Sequence, residues 1–280
     1  MIEGFLTLDG HRIHYGQAGA GPSVVLIHGI PTNAYLWRNV ARRLIDAGRE
    51  VITVDMLGYG ASDKPANADI GIAAQAQLIS RVLSQIGWAG GTIVGHDIGG
   101  GVAQLLAIDD RKRVRNLVIV DSIAYDSFPE PGIARLKDAA WDVILGAPDF
   151  DLVRGLTKGF TRGMSRADRV TPELVAAYEK PFHGVEGRLA YLRAARALRT
   201  EELTSRMAEV EKLEIPTLVV WGGKDEFQPL AYGRRLAAAM PNARLEVIDD
   251  AGHFLPEDEP ERLADLIAGF TASSKEGEAS

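Results

Sequence analysis

The chain contains no cysteine. That excludes disulfides, thiolate metal sites and a cysteine nucleophile. No apolar run approaches the roughly 20 residues a membrane span needs. The net charge of −7 over 280 residues argues weakly against nucleic acid or an anionic membrane as partner. The segment Met1-Ile2-Glu3-Gly4-Phe5 lacks a basic stretch followed by a long apolar core, so no secretory signal is read and a cytoplasmic setting is expected. No set of histidines and acids has metal-ligand spacing, and the glycine-rich stretches do not match a phosphate loop. Neither metal nor cofactor is therefore expected. What remains is an ordinary soluble composition, 46% hydrophobic and 25% charged, long enough for one large α/β domain with an insertion or for two small domains.

Phe5 to Leu8 and Arg12 to Tyr15 flank Asp9-Gly10, a hairpin signal. Ser23 to Ile27 is a continuous apolar run, as in a strand buried on both faces. A helix carrying Tyr35, Leu36, Val40 and Leu44 follows and ends near Gly48, then a strand at Val51 to Val54 and a helix over Ile70 to Gln85. Thr92 to Val94 and Val114 to Val120 are further strands. This alternation implies right-handed crossovers and a mostly parallel sheet. It breaks between Ser122 and Leu213, where prolines and helical patterns such as Glu173 to Tyr178 and Arg188 to Leu198 replace strands. Thr171-Pro172-Glu173 reads as an N-cap with proline at the first helical position. The sheet resumes at Thr217 to Trp221, followed by a helix at Leu230 to Ala239, a strand at Leu245 to Ile248 and a helix at Pro260 to Phe270. Ligands of open parallel sheets sit beyond the carboxyl ends of the strands. The loops after Ile27, Val94, Val120, Val220 and Ile248 are at such ends, and an insertion after Val120 would cover that face.

One turn stands out. In Gly95-His96-Asp97-Ile98-Gly99-Gly100, glycines relieve crowding where a strand reverses into a helix, and the middle side chain is lifted above the sheet. With His28-Gly29-Ile30-Pro31 before it, and Trp221-Gly222-Gly223-Lys224-Asp225 with Pro229 and Ala251-Gly252-His253-Phe254 after it, the chain resembles the α/β-hydrolase superfamily over nearly its whole length. The aspartate at the turn is similar to the branch that holds epoxide hydrolases, haloalkane dehalogenases and haloacid dehalogenases. The resemblance implies a mostly parallel eight-stranded sheet flanked by helices, with a helical cap inserted after the sixth strand. Residues 1–121 and 214–272 would form the core, 122–213 the cap, and 273–280 a flexible tail.

A carboxylate can displace a leaving group at an sp3 carbon and form an alkyl ester. The resemblance implies that Asp97 is this nucleophile, that His253 activates the water that hydrolyses the ester, and that Asp225 orients His253. The backbone N–H groups of Ile30 and Ile98 would receive the oxyanion. Asp121, at the end of another strand, is an alternative acid for His253. His28 and His96 are read as structural, and Asp55 and Asp63 as organising their loop; His11, His14 and His183 belong to no constellation.

The leaving group is less determined. Known haloalkane dehalogenases place tryptophan after the nucleophile and mostly asparagine after the His-Gly pair, and haloacid dehalogenases place arginine after the nucleophile; here Ile98 and Ile30 offer no side-chain donor. Epoxide opening needs a proton donor, for which the cap offers Tyr178 and Tyr191, with Tyr125 at its edge and Trp141 as a further candidate. The family's cap tyrosine falls on Leu192, with Tyr191 one place early, about 100° round a helix. The leading reading is an epoxide hydrolase acting on a small hydrophobic substrate with water. A dehalogenase, a cofactor-free lyase or esterase, and a non-enzymatic binder are the alternatives, and a monomer and a homodimer are equally open.

Overall fold

A computed structural model describes residues 1–273. All but the first residue of the expected tail lie outside the described residues. Strands β1 (Ile2–Leu8) and β2 (His11–Ala18) form an antiparallel hairpin. Its two turn residues, Asp9 and Gly10, both have positive φ, 52° and 81°, so the hairpin closes with the left-handed pair its twist favours. Strands β3 (Ser23–Ile27), β4 (Glu50–Val54), β5 (Gly91–His96), β6 (Val114–Val120), β7 (Thr217–Gly222) and β8 (Ala243–Ile248) complete an eight-stranded sheet in the order β1-β2-β4-β3-β5-β6-β7-β8. Only the pairings made by β2 are antiparallel. The central strands β3 and β7 are buried along their whole length, which is why their sequences are apolar runs without alternation.

Helices α1 (Arg38–Asp46), α2 (Ile72–Gln85) and α3 (Ile98–Asp109) connect the first strands. A short turn of 3-10 helix, Ala34–Trp37, precedes α1 and is capped by the Asn33 side chain, which accepts from the Tyr35 N–H at 3.0 Å. Between β6 and β7 come α4 (Pro131–Ala134), α5 (Ala140–Gly146), α6 (Leu152–Gly163), α7 (Pro172–Glu179), α8 (Gly184–Arg196), α9 (Glu201–Thr204) and α10 (Met207–Val210), with no strand among the described residues of that stretch. Helices α11 (Leu230–Ala239), α12 (Leu255–Asp258) and α13 (Pro260–Ser273) finish the chain. The fold is the α/β-hydrolase fold with its helical insertion after the sixth strand. Thr171 caps α7 as its sequence implied, accepting from the Leu174 N–H. Among the described residues no helix is long and apolar enough to cross a membrane.

The insertion is anchored to the core through α12. Glu257, only 3% exposed, accepts from both Arg38 guanidinium nitrogens at 2.6 and 2.8 Å and from the Tyr178 hydroxyl at 2.5 Å. Arg169 donates to the Glu257 backbone carbonyl. The neighbouring Asp258 carboxylate accepts from the backbone N–H groups of Ser165, Arg166 and Gly252. A buried carboxylate with this many donors is satisfied, but removing one cationic partner strands it. Arg38→Ala is therefore expected to cost about 3 kcal/mol. Arg43→Ala, which breaks the exposed Arg43–Asp265 pair, should cost far less, because water and salt screen an exposed pair. Urea denaturation of both variants checks this; equal losses would mean that Glu257 does not depend on Arg38.

Candidate active site

Asp97 is at the junction of β5 and α3 with φ 53° and ψ −123°, a conformation that L-residues rarely adopt. The surroundings hold it there. A Cβ on Gly99 would run into the His28 carbonyl, and a Cβ on Gly29 would lie 2.6 Å from the Asp97 Oδ2, so both close approaches require glycine. The carboxylate is met by the Ile30 N–H at 3.0 Å and by the Ile98 N–H. Both donors expected from the sequence thus point at the Asp97 carboxylate. Burial raises its pKa to about 6, against the pull of the His253 ring and these two N–H groups.

His253 follows β8, with its side chain only 4% exposed. Its Nδ1 donates to Asp225 Oδ2 at 2.9 Å, so Nε2 is left free for chemistry. Burial alone would lower the imidazole pKa; the Asp225 and Asp97 carboxylates outweigh it, and the net shift is upward. The backbone at His253 is held as well, since the fully buried His96 donates from Nε2 to the His253 carbonyl at 2.8 Å. His28 bridges the Gly29 carbonyl and the Met56 N–H, so both of these histidines do structural work. Asp55 accepts from Ala34 and Ala61, and Asp63 accepts from the Arg12 N–H, which ties their loop to its neighbours.

A cavity of about 460 Å³ opens over Asp97, Ile98, Ile30 and His253. Its wall is mostly apolar, with Ile123, Phe128, Leu156, Phe160 and Phe254 among the lining residues. The polar groups on it include Glu130, Arg162, Tyr191, Trp141 and Gln228. Glu130 is engaged, pairing with Arg162 at 3.0 Å and capping α4. A larger concavity of about 720 Å³ lies elsewhere, around Glu3, His14, Tyr35, Arg38 and Lys180, and none of the residues around Asp97 lines it. Among the described residues no group of histidines and acids is placed to hold a metal ion.

Four candidates need correction or refinement. Asp121 does not serve His253: it is fully buried, its Oδ1 accepts from the Gly222 N–H at 2.7 Å, and burial followed by the nearby Asp225 charge raises its pKa well above the carboxylate range. Tyr178 does not reach the cavity, because its hydroxyl is committed to Glu257 and its ring stacks on Phe160 at 4.9 Å. Tyr125 also faces elsewhere, donating to Glu211 at 2.9 Å beneath the Arg235 guanidinium. Tyr191, by contrast, lines the cavity, and Leu192 packs into the core at 1% exposure. The one-place offset therefore turns the tyrosine toward the site. Its hydroxyl has no hydrogen-bond partner among the described residues, and burial raises its pKa to about 12. Trp141 lines the cavity with Arg135 over its ring. Gln228, which sequence reading passed over, is on the wall beside His253; its nearness to Asp225 in sequence was the one available signal.

The sequence matches the Alpha/beta hydrolase family over residues 24–266. It is 31% identical to a 2-hydroxymuconate semialdehyde hydrolase of Pseudomonas putida, over 95% of this chain and 92% of that protein. It is 30% identical to a soluble epoxide hydrolase of Corynebacterium sp. strain C12, over 95% of each. Among solved structures, an alpha/beta hydrolase fold protein from Burkholderia ambifaria superposes with a TM-score of 0.86 at 25% identity, covering 94% of this chain and 96% of that one. Sheet order, insertion point and sequence agree: the chain belongs to the alpha/beta hydrolase family.

Proposed function

We propose that this protein hydrolyses epoxides of small, largely apolar molecules through an ester on Asp97. The observation that carries the reading is a carboxylate at the strand–helix turn, met by two backbone N–H groups, in an apolar cavity shared with an imidazole that Asp225 orients. The epoxide-hydrolase relative supports the choice of substrate.

In the first step an Asp97 oxygen attacks a ring carbon, the C–O bond breaks, and the alkoxide takes the Tyr191 proton. A phenol with a pKa of about 12 is neutral before the reaction and still more acidic than an aliphatic alcohol, so the transfer runs downhill. In the second step His253 takes a proton from water, and the hydroxide adds to the Asp97 carbonyl carbon. The Ile30 and Ile98 N–H groups hold the resulting oxyanion. Collapse expels the alkoxide, which takes the proton back from His253 and leaves as the diol. The proton left on the Asp97 carboxyl restores the Tyr191 phenol. Ester formation also neutralises Asp97, one of the carboxylates that raise the His253 pKa. The imidazole becomes easier to deprotonate at the stage where it must act as a base.

Single turnover in heavy-oxygen water should place label in Asp97, and His253→Gln should accumulate protein carrying the substrate mass. Label found only in product would remove Asp97 as nucleophile. Ester formation requires the carboxylate, so its rate should fall about tenfold per pH unit below about pH 6; stopped-flow measurement that stays flat down to pH 5 contradicts this. Tyr191→Phe should slow ester formation by about a hundredfold or more, whereas Tyr178→Phe should change it little. A reversed order would return the donor role to Tyr178.

A further inference from the structure

The cavity lining carries charge that the proposed reaction does not use. Glu130 is answered by Arg162 at 3.0 Å, and the Asp97 carboxylate by the Ile30 and Ile98 N–H groups. Arg135 and Lys158 also line the cavity, and both are exposed, so they stand at its mouth. Neither side chain makes a hydrogen bond or an ion pair among the described residues. That sets Arg135 apart. Between β6 and β7, every arginine except Arg135 and Arg154 donates to a carboxylate or a backbone carbonyl of the protein. Arg154 does not line the cavity. The Arg135 guanidinium rests over the Trp141 ring, 5.4 Å from its centroid, and its charge is felt by the Tyr191 phenol. Both Trp141 and Tyr191 are cavity residues, so the guanidinium is turned along the opening rather than away from it.

The geometry points to a substrate that carries a carboxylate at the end remote from the reacting ring, received by Arg135 at the cavity mouth. A planar guanidinium presents two parallel N–H groups that match the two oxygens of a carboxylate, and Lys158 adds to the local positive field. The apolar wall takes the body of such a molecule. The Asp97 carboxylate at the other end repels a second anion, so the acid end stays outward and the neutral ring is presented to the nucleophile. In a chain of net charge −7, an exposed cationic mouth also offsets the general repulsion that an acid meets on approach. The inference deepens the epoxide reading and rests on it for the reacting ring; recognition of the acid end is measured without any reaction.

The test uses two unreactive ligands of the same shape, 4-phenylbutyrate and 4-phenylbutyramide, titrated by calorimetry into the intact protein. In about 20 mM salt the wild type should bind the acid about threefold to tenfold more tightly than the amide, and the preference should shrink in about 300 mM salt. In Arg135→Gln it should fall below about twofold while amide binding stays within about twofold of wild type. Arg135→Lys keeps the charge without the fork and should give an intermediate preference. Arg154→Gln removes an exposed cation that does not line the cavity and should leave the preference intact. Equal binding of acid and amide by the wild type overturns the proposal, and so does an unchanged preference in Arg135→Gln. An equal loss in Arg154→Gln also overturns it, since the acid would then respond to surface charge in general. A preference for the acid that depends on Arg135, in a protein that turns over no epoxide, would preserve this inference and remove the epoxide reading.

Discussion

The site depends on one buried carboxylate. Asp225 has no exposed side-chain surface, and its two oxygens are divided between two tasks. Oδ2 takes the His253 ring, while Oδ1 takes the backbone N–H groups of Phe227 and Gln228. The turn after β7 and the loop after β8 are thereby fixed to each other. Phe227 then packs edge-on against the His253 ring, with centroids 5.2 Å apart. Charge-assisted bonds of this kind in a low-dielectric setting are short and directional, so the imidazole has little freedom to leave its orientation.

That precision extends into the insertion. The loop carrying His253 runs directly into α12, whose Asp258 binds both the Gly252 N–H and the N–H groups of Ser165 and Arg166, just past α6. Phe254 donates its N–H to the Gly163 carbonyl in the same region. A movement of α6 is thus also a movement of the histidine loop. The cavity wall provided by Leu156 and Phe160 and the position of the imidazole are two outcomes of one set of backbone hydrogen bonds.

Much of this was legible from residue order because it is local. Apolar runs marked β3 and β7, and the glycines around Asp97 marked the turn, since each records a constraint satisfied within a few residues. Helix α6 was not named beforehand: Gly155, Gly159 and Gly163 depress its apparent propensity, and its stability comes from burying Leu152, Leu156 and Phe160. The cap tyrosines were the harder case. Whether a hydroxyl meets the cavity or a carboxylate 79 positions away, as in Tyr178 and Glu257, is a tertiary fact that no periodicity carries. Gln228 escaped notice for a related reason, because an unpaired carboxamide is recognised only once every neighbour is in place.

The distribution of charge also bears on which bond the proposed reaction breaks. Asp97 and Asp225 act on the His253 imidazole, and Asp121 is buried beside Asp225, so three carboxylates compete for ionisation in one low-dielectric region. Burial, and then the nearby Asp225 carboxylate, push the Asp121 pKa well above the usual carboxylate range, whereas Asp97 is raised only to about 6. Ile30 and Ile98 add only backbone donors, which the Asp97 carboxylate already uses. A halide would leave as an ion into an apolar wall. An epoxide oxygen remains tethered to the ester and is neutralised by one proton, which a neutral phenol such as Tyr191 can supply. The lack of side-chain donors at Ile30 and Ile98, with a phenol on the wall, thus favours a leaving group that accepts a proton over one that must depart as an anion.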